Sequence, residues 1–301
     1  VVFLFSLGEA LEGYTVDRAR QSIRSLMALA PAEATALRPC LDCAGHRGQA
    51  LPDGRIYTTG PCPWCEPHEQ RVPVEKLVVG DRFLARPGER IAAAAERSGR
   101  HTSAVQLVAV TKGVSVSRIQ EAYSAGLRDF GENYVQEALP KQDQLPSDAK
   151  WHFIGHLQTN KVRQVVGRFI LIQSVDTLKL AAELGKRSAA SGLCQNVLLE
   201  VLLDEGGAKH GVPVGEALAF AEAVSRIEGL SVRGLMGMAP LTSDPEEARP
   251  HFRRLKRLFD SLPAENRQVL SMGMTGDFEV AVEEGSTMVR LGTALFGRRN
   301  G

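Results

Sequence analysis

Eight short apolar runs, separated by stretches of helical patterning, occupy residues 107 to 291, and this alternation constrains the fold more than any other feature of the chain. The runs are 107–111 (LVAVT), 127–130 (LRDF), 151–155 (WHFIG), 169–173 (FILIQ), 196–201 (NVLLEV), 232–236 (VRGLM), 268–272 (QVLSM) and 287–291 (TMVRL). Between them lie amphipathic segments such as SRIQEAYSAG, DTLKLAAELGKRSAASG, VGEALAFAEAVSRI and DPEEARPHFRRLKRLFDSL. Strands that alternate with helices imply parallel pairing, because each crossover must return the chain to the same edge of the sheet. Eight such units are the count of a (β/α)8 barrel. The competing doubly wound sheet lacks support, since no glycine-rich dinucleotide loop follows the first strand.

Residues 1–88 read as a different protein from residues 89–301. The first part has an amphipathic start, a Cys/Pro/Gly-rich middle over 38–67, and then RVPVEKLVVGDRFLARPGER, which alternates like short β-strands around a Gly-Asp turn at 80–81. The second part opens on a short Ala- and Glu-rich helix, ERIAAAAERSGR. The apolar run at the start is about seven residues, far below the roughly 20 of a membrane span, and no signal-peptide pattern accompanies it. With a net charge of +1 and no dense Lys/Arg run, the chain carries no footprint for nucleic acid or an anionic membrane. The expectation is a cytoplasmic, monomeric protein.

Four of the five cysteines lie in two CxxC pairs, Cys40/Cys43 (CLDC) and Cys62/Cys65 (CPWC). Each pair supplies two thiolates from one tight turn, and the spacing between the pairs suits a four-cysteine zinc ribbon. His46 and His68 are spare donors. The expected metal is zinc or another soft ion, in a closed site with no catalytic position. The alternative is four reduced cysteines in a loose loop.

In a barrel of this kind, sites form at the C-terminal ends of the strands. Lys112 follows the first strand directly. It is either a rim lysine that snorkels to water or an amine that attacks an aldehyde. The loops after strands 7 and 8 favour the second reading. SMGMTGDFEVAVEEG offers Ser271 and Thr275 hydroxyls, with Gly273 and Gly276 for close backbone approach and a helix start near Asp277. RLGTALFG adds Arg290, Gly292 and Thr293. A lysine on strand 1 and a phosphate cup at strands 7 and 8 point to pyridoxal 5′-phosphate.

LVAVTKG, DFGENYVQEA, WHFIGHLQTNK, the KHG at 209–211, RGLMGMAP and LSMGMTGDFEVAVEEGSTMVRLGTALFG together resemble the YggS/PROSC family of pyridoxal phosphate homeostasis proteins. The resemblance runs from about 90 to 301. It implies the fold-type III barrel of the alanine racemase N-terminal domain, with the cofactor held as a Schiff base on Lys112. It implies that Asn133 lines the cofactor pocket and that Ser271, Gly273, Thr275, Gly292 and Thr293 form the phosphate loops. It implies that Arg290 lies near the pyridine nitrogen, where it would keep that nitrogen unprotonated. His152 and His156 read as structural hydrogen-bonding residues. Lys112 follows Thr111, where the family more often has Ser; the hydroxyl is kept. The implied function is binding and delivery of pyridoxal phosphate in vitamin B6 homeostasis, with apo-forms of pyridoxal phosphate enzymes as partners and no catalytic residues. An amino-acid racemase-like enzyme and a metal-binding module built on the four cysteines are the alternatives. A racemase needs a second base, usually a tyrosine, and the four here are Tyr14, Tyr57, Tyr123 and Tyr134.

The stretch VVFLFSLGEALEGYTVDRARQSIRSLMALAPAEATALR, followed by RVPVEKLVVGDRFLARPGERI, resembles the start of the actuator domain of a heavy-metal-transporting P-type ATPase. No phosphorylation motif or nucleotide domain follows it, so this resemblance implies no pumping. The GERIA at 88–92 suits both resemblances, which suggests a gene fusion or chimera joined at that point.

Overall fold

The computed structural model describes residues 33–38, 40, 43–52, 54–66, 68–73, 82–84, 87–203 and 210–297, and divides into two compact units, Val1–Glu89 and Arg90–Gly301. The expected amphipathic start and the Gly80–Asp81 turn lie outside the described residues.

In the first unit a three-stranded antiparallel sheet has the order β2-β1-β3, with β1 at Glu33–Arg38, β2 at His68–Pro73 and β3 at Arg82–Leu84. Between β1 and β2 the two CxxC segments approach each other. The Cys62 amide donates to the Cys40 carbonyl at 2.8 Å, and the Tyr57 hydroxyl accepts from the Cys43 amide while donating to the Gly60 carbonyl.

The second unit is a closed barrel. Its eight strands are β4 (Gln106–Val110), β5 (Asp129–Glu132), β6 (Lys150–Phe153), β7 (Leu171–Val175), β8 (Gln195–Leu202), β10 (Leu230–Gly237), β11 (Val269–Ser271) and β12 (Met288–Leu291). They pair in parallel in that sequence; β12 joins β4, and the β7–β8 and β8–β10 pairings complete the ring. A two-residue strand, β9 (Val212–Pro213), adds to β8 from outside the ring. The eight strands are those expected from the sequence, displaced by up to two residues. Closure follows from sheet chemistry, because it leaves no edge strand with unpaired N–H and C=O groups.

Apolar side chains fill two layers. Inside the barrel, Val108, Leu171, Leu198, Met236 and Met288 form a plug that lets nothing pass through the axis. Outside it, helices bury their apolar faces on the strands. The principal ones are α1 (Pro87–Arg97), α2 (Val116–Ser124), α3 (Val135–Gln142), α4 (Val162–Val165), α5 (Leu178–Ala190), α6 (Ala217–Ser225), α7 (Arg249–Asp260), α8 (Phe278–Glu283) and α9 (Thr293–Phe296). Ile91, Ala94 and Ala95 of α1 pack against Phe278, Val282, Val289 and Leu291. Burying the Ile91 side chain there contributes about 2–3 kcal/mol. Arg97 and Arg100 fix the same helix and its following turn, through Glu283 and through the Val282 and Ser286 carbonyls. Among the described residues, no helix is long and apolar enough to cross a membrane.

Candidate functional site

β4 ends at Val110, so Lys112 stands in the turn Thr111–Gly113 rather than on the strand. That turn is tightly held. Gly113 has φ +68°, a left-handed conformation that glycine adopts without strain. The Thr111 hydroxyl donates to Glu132 Oε1 at 2.7 Å, and the Thr111 amide donates to the Gly131 carbonyl at 2.9 Å. Lys141, from α3, donates to the Thr111 carbonyl at 2.8 Å and to Glu132 Oε1 at 2.6 Å. The Gly113 amide donates to Glu137 Oε2 at 3.0 Å, a bond that holds the Glu137 carboxyl below its ordinary range, with Lys141 and Lys112 adding in the same direction. Lys112 is thereby aimed, half-buried, into a cavity of about 730 Å³ at the C-terminal end of the barrel.

The opposite wall of that cavity comes from the last two strands. Met274, Thr275, Gly276 and Asp277 line it after β11, and Arg290, Gly292 and Thr293 line it at the end of β12 and beyond. The Ala294 amide reaches Thr275 Oγ1 at 3.4 Å and links the two loops. A Cβ added at Gly276 would meet nothing, so this stretch of wall is open backbone. Pro240, Leu241 and Thr242 close a third side after β10. The helix expected near Asp277 is present as α8; the Asp277 side chain does not cap it but accepts the upstream Met274 amide at 2.6 Å, while the Phe278 amide donates to the Met274 carbonyl at 2.9 Å. Burial raises the Asp277 carboxyl above its ordinary range, against the pull of that amide and of Arg290.

Arg290 is wholly buried, and burial lowers it to about 10, which leaves it cationic at neutral pH. It donates to Ser271 Oγ at 2.6 Å and to the Gly237 carbonyl at 3.2 Å. Ser271 Oγ donates onward to Gln173 Oε1 at 2.7 Å; Gln173 Nε2 faces His152 Nδ1 at 3.3 Å; His152 Nε2 lies 3.0 Å from Asp129 Oδ1. A polar chain therefore crosses the barrel beneath the cavity and fixes the guanidinium. Sequence reasoning missed Gln173 and Asp129 entirely, because nothing in their local pattern marks them as inward-facing and paired.

Three expected site residues are not among those that line the cavity. Ser271 is fully buried under the cavity floor, as a partner of Arg290 and Gln173 rather than a loop hydroxyl. Gly273, with φ +99°, lies against Phe278 and Ala281, where any Cβ would collide. Asn133 falls outside the cavity wall; its backbone carbonyl occupies the space where a Cβ on Gly155 would stand. Lys112, Thr275, Arg290, Gly292 and Thr293 do converge on one cavity. His152 is a buried hydrogen-bonding residue, whereas His156 stands at the surface beside Asp176 and His210.

Glu200, on β8, is buried and interacts electrostatically with both Asp176 and Arg290. Burial, reinforced by Asp176, pushes its carboxyl up to about 7 despite the attraction of Arg290.

In the first unit, Cys43, His46, Cys62 and Cys65 bring four donor atoms within 4.8 Å of one another. His46 Nδ1 lies 3.3 Å from both the Cys43 and Cys62 sulfurs and 3.5 Å from Cys65. Cys40 touches the Cys43 and Cys65 thiols but stands outside the mutually adjacent four, which His46 joins. His68 is exposed on β2. Hydrogen bonding to Cys43 and Cys62 raises the Cys65 thiol to about 12, while Cys43 is lowered by its bond with Cys65. Sulfurs this close cannot all ionise unless a cation lies among them.

Comparison with known proteins bears on the second unit. The sequence profile described as alanine racemase, N-terminal domain, matches residues 88–300. The pyridoxal phosphate homeostasis protein of Aquifex aeolicus is 44% identical over 220 residues, covering 72% of this chain and 96% of that protein. That of Pseudomonas aeruginosa is 42% identical over 218 residues, covering 72% and 94%. PipY of Synechococcus elongatus, solved with PLP bound, superposes with a TM-score of 0.59 at 38% identity, covering 70% of this chain and 99% of that one. An alanine racemase from Clostridium difficile, at 11% identity and a TM-score of 0.55, shares the fold alone.

Proposed function

The chain belongs, over residues 88–300, to the alanine racemase N-terminal-domain family and within it to the pyridoxal phosphate homeostasis proteins, and from that premise we propose that it binds pyridoxal 5′-phosphate covalently through Lys112 and holds it for delivery rather than for turnover. The observation that carries this reading is the convergence of Lys112, Arg290 and two small-residue loops on one cavity. The donor set suits the cofactor: an amine for its aldehyde, open backbone and threonine hydroxyls for its phosphate, and a fixed cation for its ring. When bound, the cofactor supplies an electrophilic aldehyde and a conjugated ring. Lys112 contributes the amine, and the Glu132–Lys141–Glu137 cluster orients the turn that presents it. Thr275, Gly276, Gly292 and Thr293 are the candidate phosphate contacts. Arg290 cannot deliver a proton readily at neutral pH, because it stays cationic and is tied to Ser271 and Gly237.

Carriage is favoured over racemisation by the makeup of the wall. Among the described residues no tyrosine lines the cavity; Tyr123 bonds Asp148, and Tyr134 is exposed on the rim. Two-base racemisation needs a second proton carrier facing the first, and among the described residues the wall offers no tyrosine for that place. Apo-forms of pyridoxal phosphate enzymes are the proposed recipients, in the cytoplasm, from a monomeric carrier.

The test is borohydride trapping followed by intact-mass measurement and peptide mapping. One reduced cofactor on Lys112, absent in a folded Lys112→Ala variant, is expected. Equal labelling of the variant would refute the assignment. Alanine racemisation that depends on Lys112 would replace carriage with catalysis.

A second reading applies to the first unit, where the Cys43, His46, Cys62 and Cys65 cluster supports a structural zinc site. One tightly held zinc that is lost in His46→Ala but kept in Cys40→Ser supports this donor set; the reverse pattern restores the four-cysteine reading.

A further inference from the structure

On the far side of the barrel mouth from Lys112, three loops bring two imidazoles to one carboxylate. His156 Nδ1 and His210 Nδ1 each lie 3.8 Å from Asp176 Oδ2. The two rings stack at 3.8 Å between centroids, 17° from parallel. All three donor atoms lie within 4.8 Å of one another. The Asp176 side chain is only 6% exposed, while the imidazoles are about half open to solvent. A separation of 3.8 Å is too long for a direct hydrogen bond, so the carboxylate does not satisfy either ring.

Each donor is anchored close to the barrel. Asp176 follows the last residue of β7, and the next residue, Thr177, caps α5 by accepting the Leu180 amide at 3.3 Å. His156 follows Gly155, whose position against the Asn133 backbone excludes any Cβ. His210 precedes Gly211, at φ +119° and packed on the Leu202 backbone, and then β9, which pairs with β8. With His156 and Asp176 just past the ends of β6 and β7 and His210 just before β9, short tethers form a preorganised set rather than a chance meeting of long surface side chains.

We propose that His156, Asp176 and His210 form a binding site for a divalent transition metal of the zinc and cobalt type. Two neutral imidazoles and one carboxylate are an ordinary donor set for such ions. A tetrahedral ion with bonds of about 2.0–2.2 Å sets its donors roughly 3.3–3.6 Å apart, so the site closes when the two half-exposed rings draw toward Asp176 and turn out of their stack to aim one nitrogen each at the ion. Three protein donors leave a coordination position open. That position faces a recess lined by Gln158, Thr159, Asn160 and Thr177, where a water or a small anion completes the shell. The site stands independently of cofactor binding at Lys112 and of the cysteine cluster in the first unit.

Cobalt separates the sites, because thiolate ligands give an intense near-ultraviolet charge-transfer band and nitrogen–oxygen sites give only weak visible bands. The full chain is titrated with Co²⁺ near neutral pH and followed by absorbance. One equivalent that binds without the thiolate band and survives gel filtration is expected. Asp176→Asn, and separately His210→Gln, should weaken that equivalent by at least about a hundredfold. Borohydride-trapped pyridoxal phosphate on Lys112 in the same variants reports that the barrel is folded. If all tightly bound cobalt carries the thiolate band, the site does not exist. If the thiolate-free equivalent persists in both variants, it lies elsewhere and the assignment is wrong.

Discussion

Replacing Lys141 by methionine leaves a buried carboxylate without its cation. Glu132 is fully buried, and Lys141 is nearly so, at 2.6 Å. Among the described residues, Lys141 is the one basic side chain paired with Glu132. The other hydrogen bond to Glu132 comes from the neutral Thr111 hydroxyl, and Glu132 Oε2 has no partner. Methionine fills a similar volume, so the loss is chiefly electrostatic. Breaking a buried pair from one side typically costs about 3–5 kcal/mol, because the remaining charge is left uncompensated. For a domain of this size each kcal/mol shifts the midpoint by roughly 2–4 °C, so the barrel transition should fall by roughly 6–20 °C. Adding Glu132→Gln removes the stranded charge, and the double variant should regain about half of the loss. Calorimetry of the parent, both single variants and the double variant provides the cycle. Cofactor trapping on Lys112 should fall in Lys141→Met, since the Thr111 carbonyl loses its anchor. A stability within about 1 kcal/mol of the parent would refute the reasoning. So would a double variant less stable than Lys141→Met.

Glu200→Gln should make stability less dependent on pH. An acid raised on folding from 4.5 to about 7 is protonated in the folded chain while the unfolded chain has already released its proton. Its contribution is therefore fully present below 4.5, declines as pH rises to about 7, and is constant above. The variant should match the parent at acidic pH and exceed it by about 3 kcal/mol above neutrality, with no divalent metal added; a difference that does not vary with pH would count against it. Gly234→Ala should abolish a stable barrel, since the added Cβ would stand on the Val269 carbonyl oxygen at φ +151°, while Gly215→Ala, with nothing nearby, should fold normally. Soluble expression and circular dichroism separate the two.

Local chemistry made the barrel legible in the amino-acid sequence. Strand and helix periodicities repeat over a few residues, and eight repeats leave few ways to satisfy parallel pairing. Lys112, Arg290, Thr275, Gly292 and Thr293 were readable for the same reason: strand ends and small-residue loops are local features, and the fold assigns them to one face. That Ser271, Gly273 and Asn133 would not line the cavity was not readable. Whether a hydroxyl after β11 faces the cavity or lies beneath it depends on the inclination of the strand in the closed ring. Closure also brings Asp129, His152, Gln173, Ser271 and Arg290 into one chain across 161 residues of sequence, and no periodicity records such partners. In the first unit the CxxC spacing located a thiol cluster, but that His46 joins the mutually adjacent donors is not recorded in that spacing. His156, Asp176 and His210 follow three different strands, and only the ring of strands makes them neighbours. Which elements form, and in what order, follows from local pattern; which side chains meet follows from the closing of the ring, because meeting is not a property of spacing along the chain.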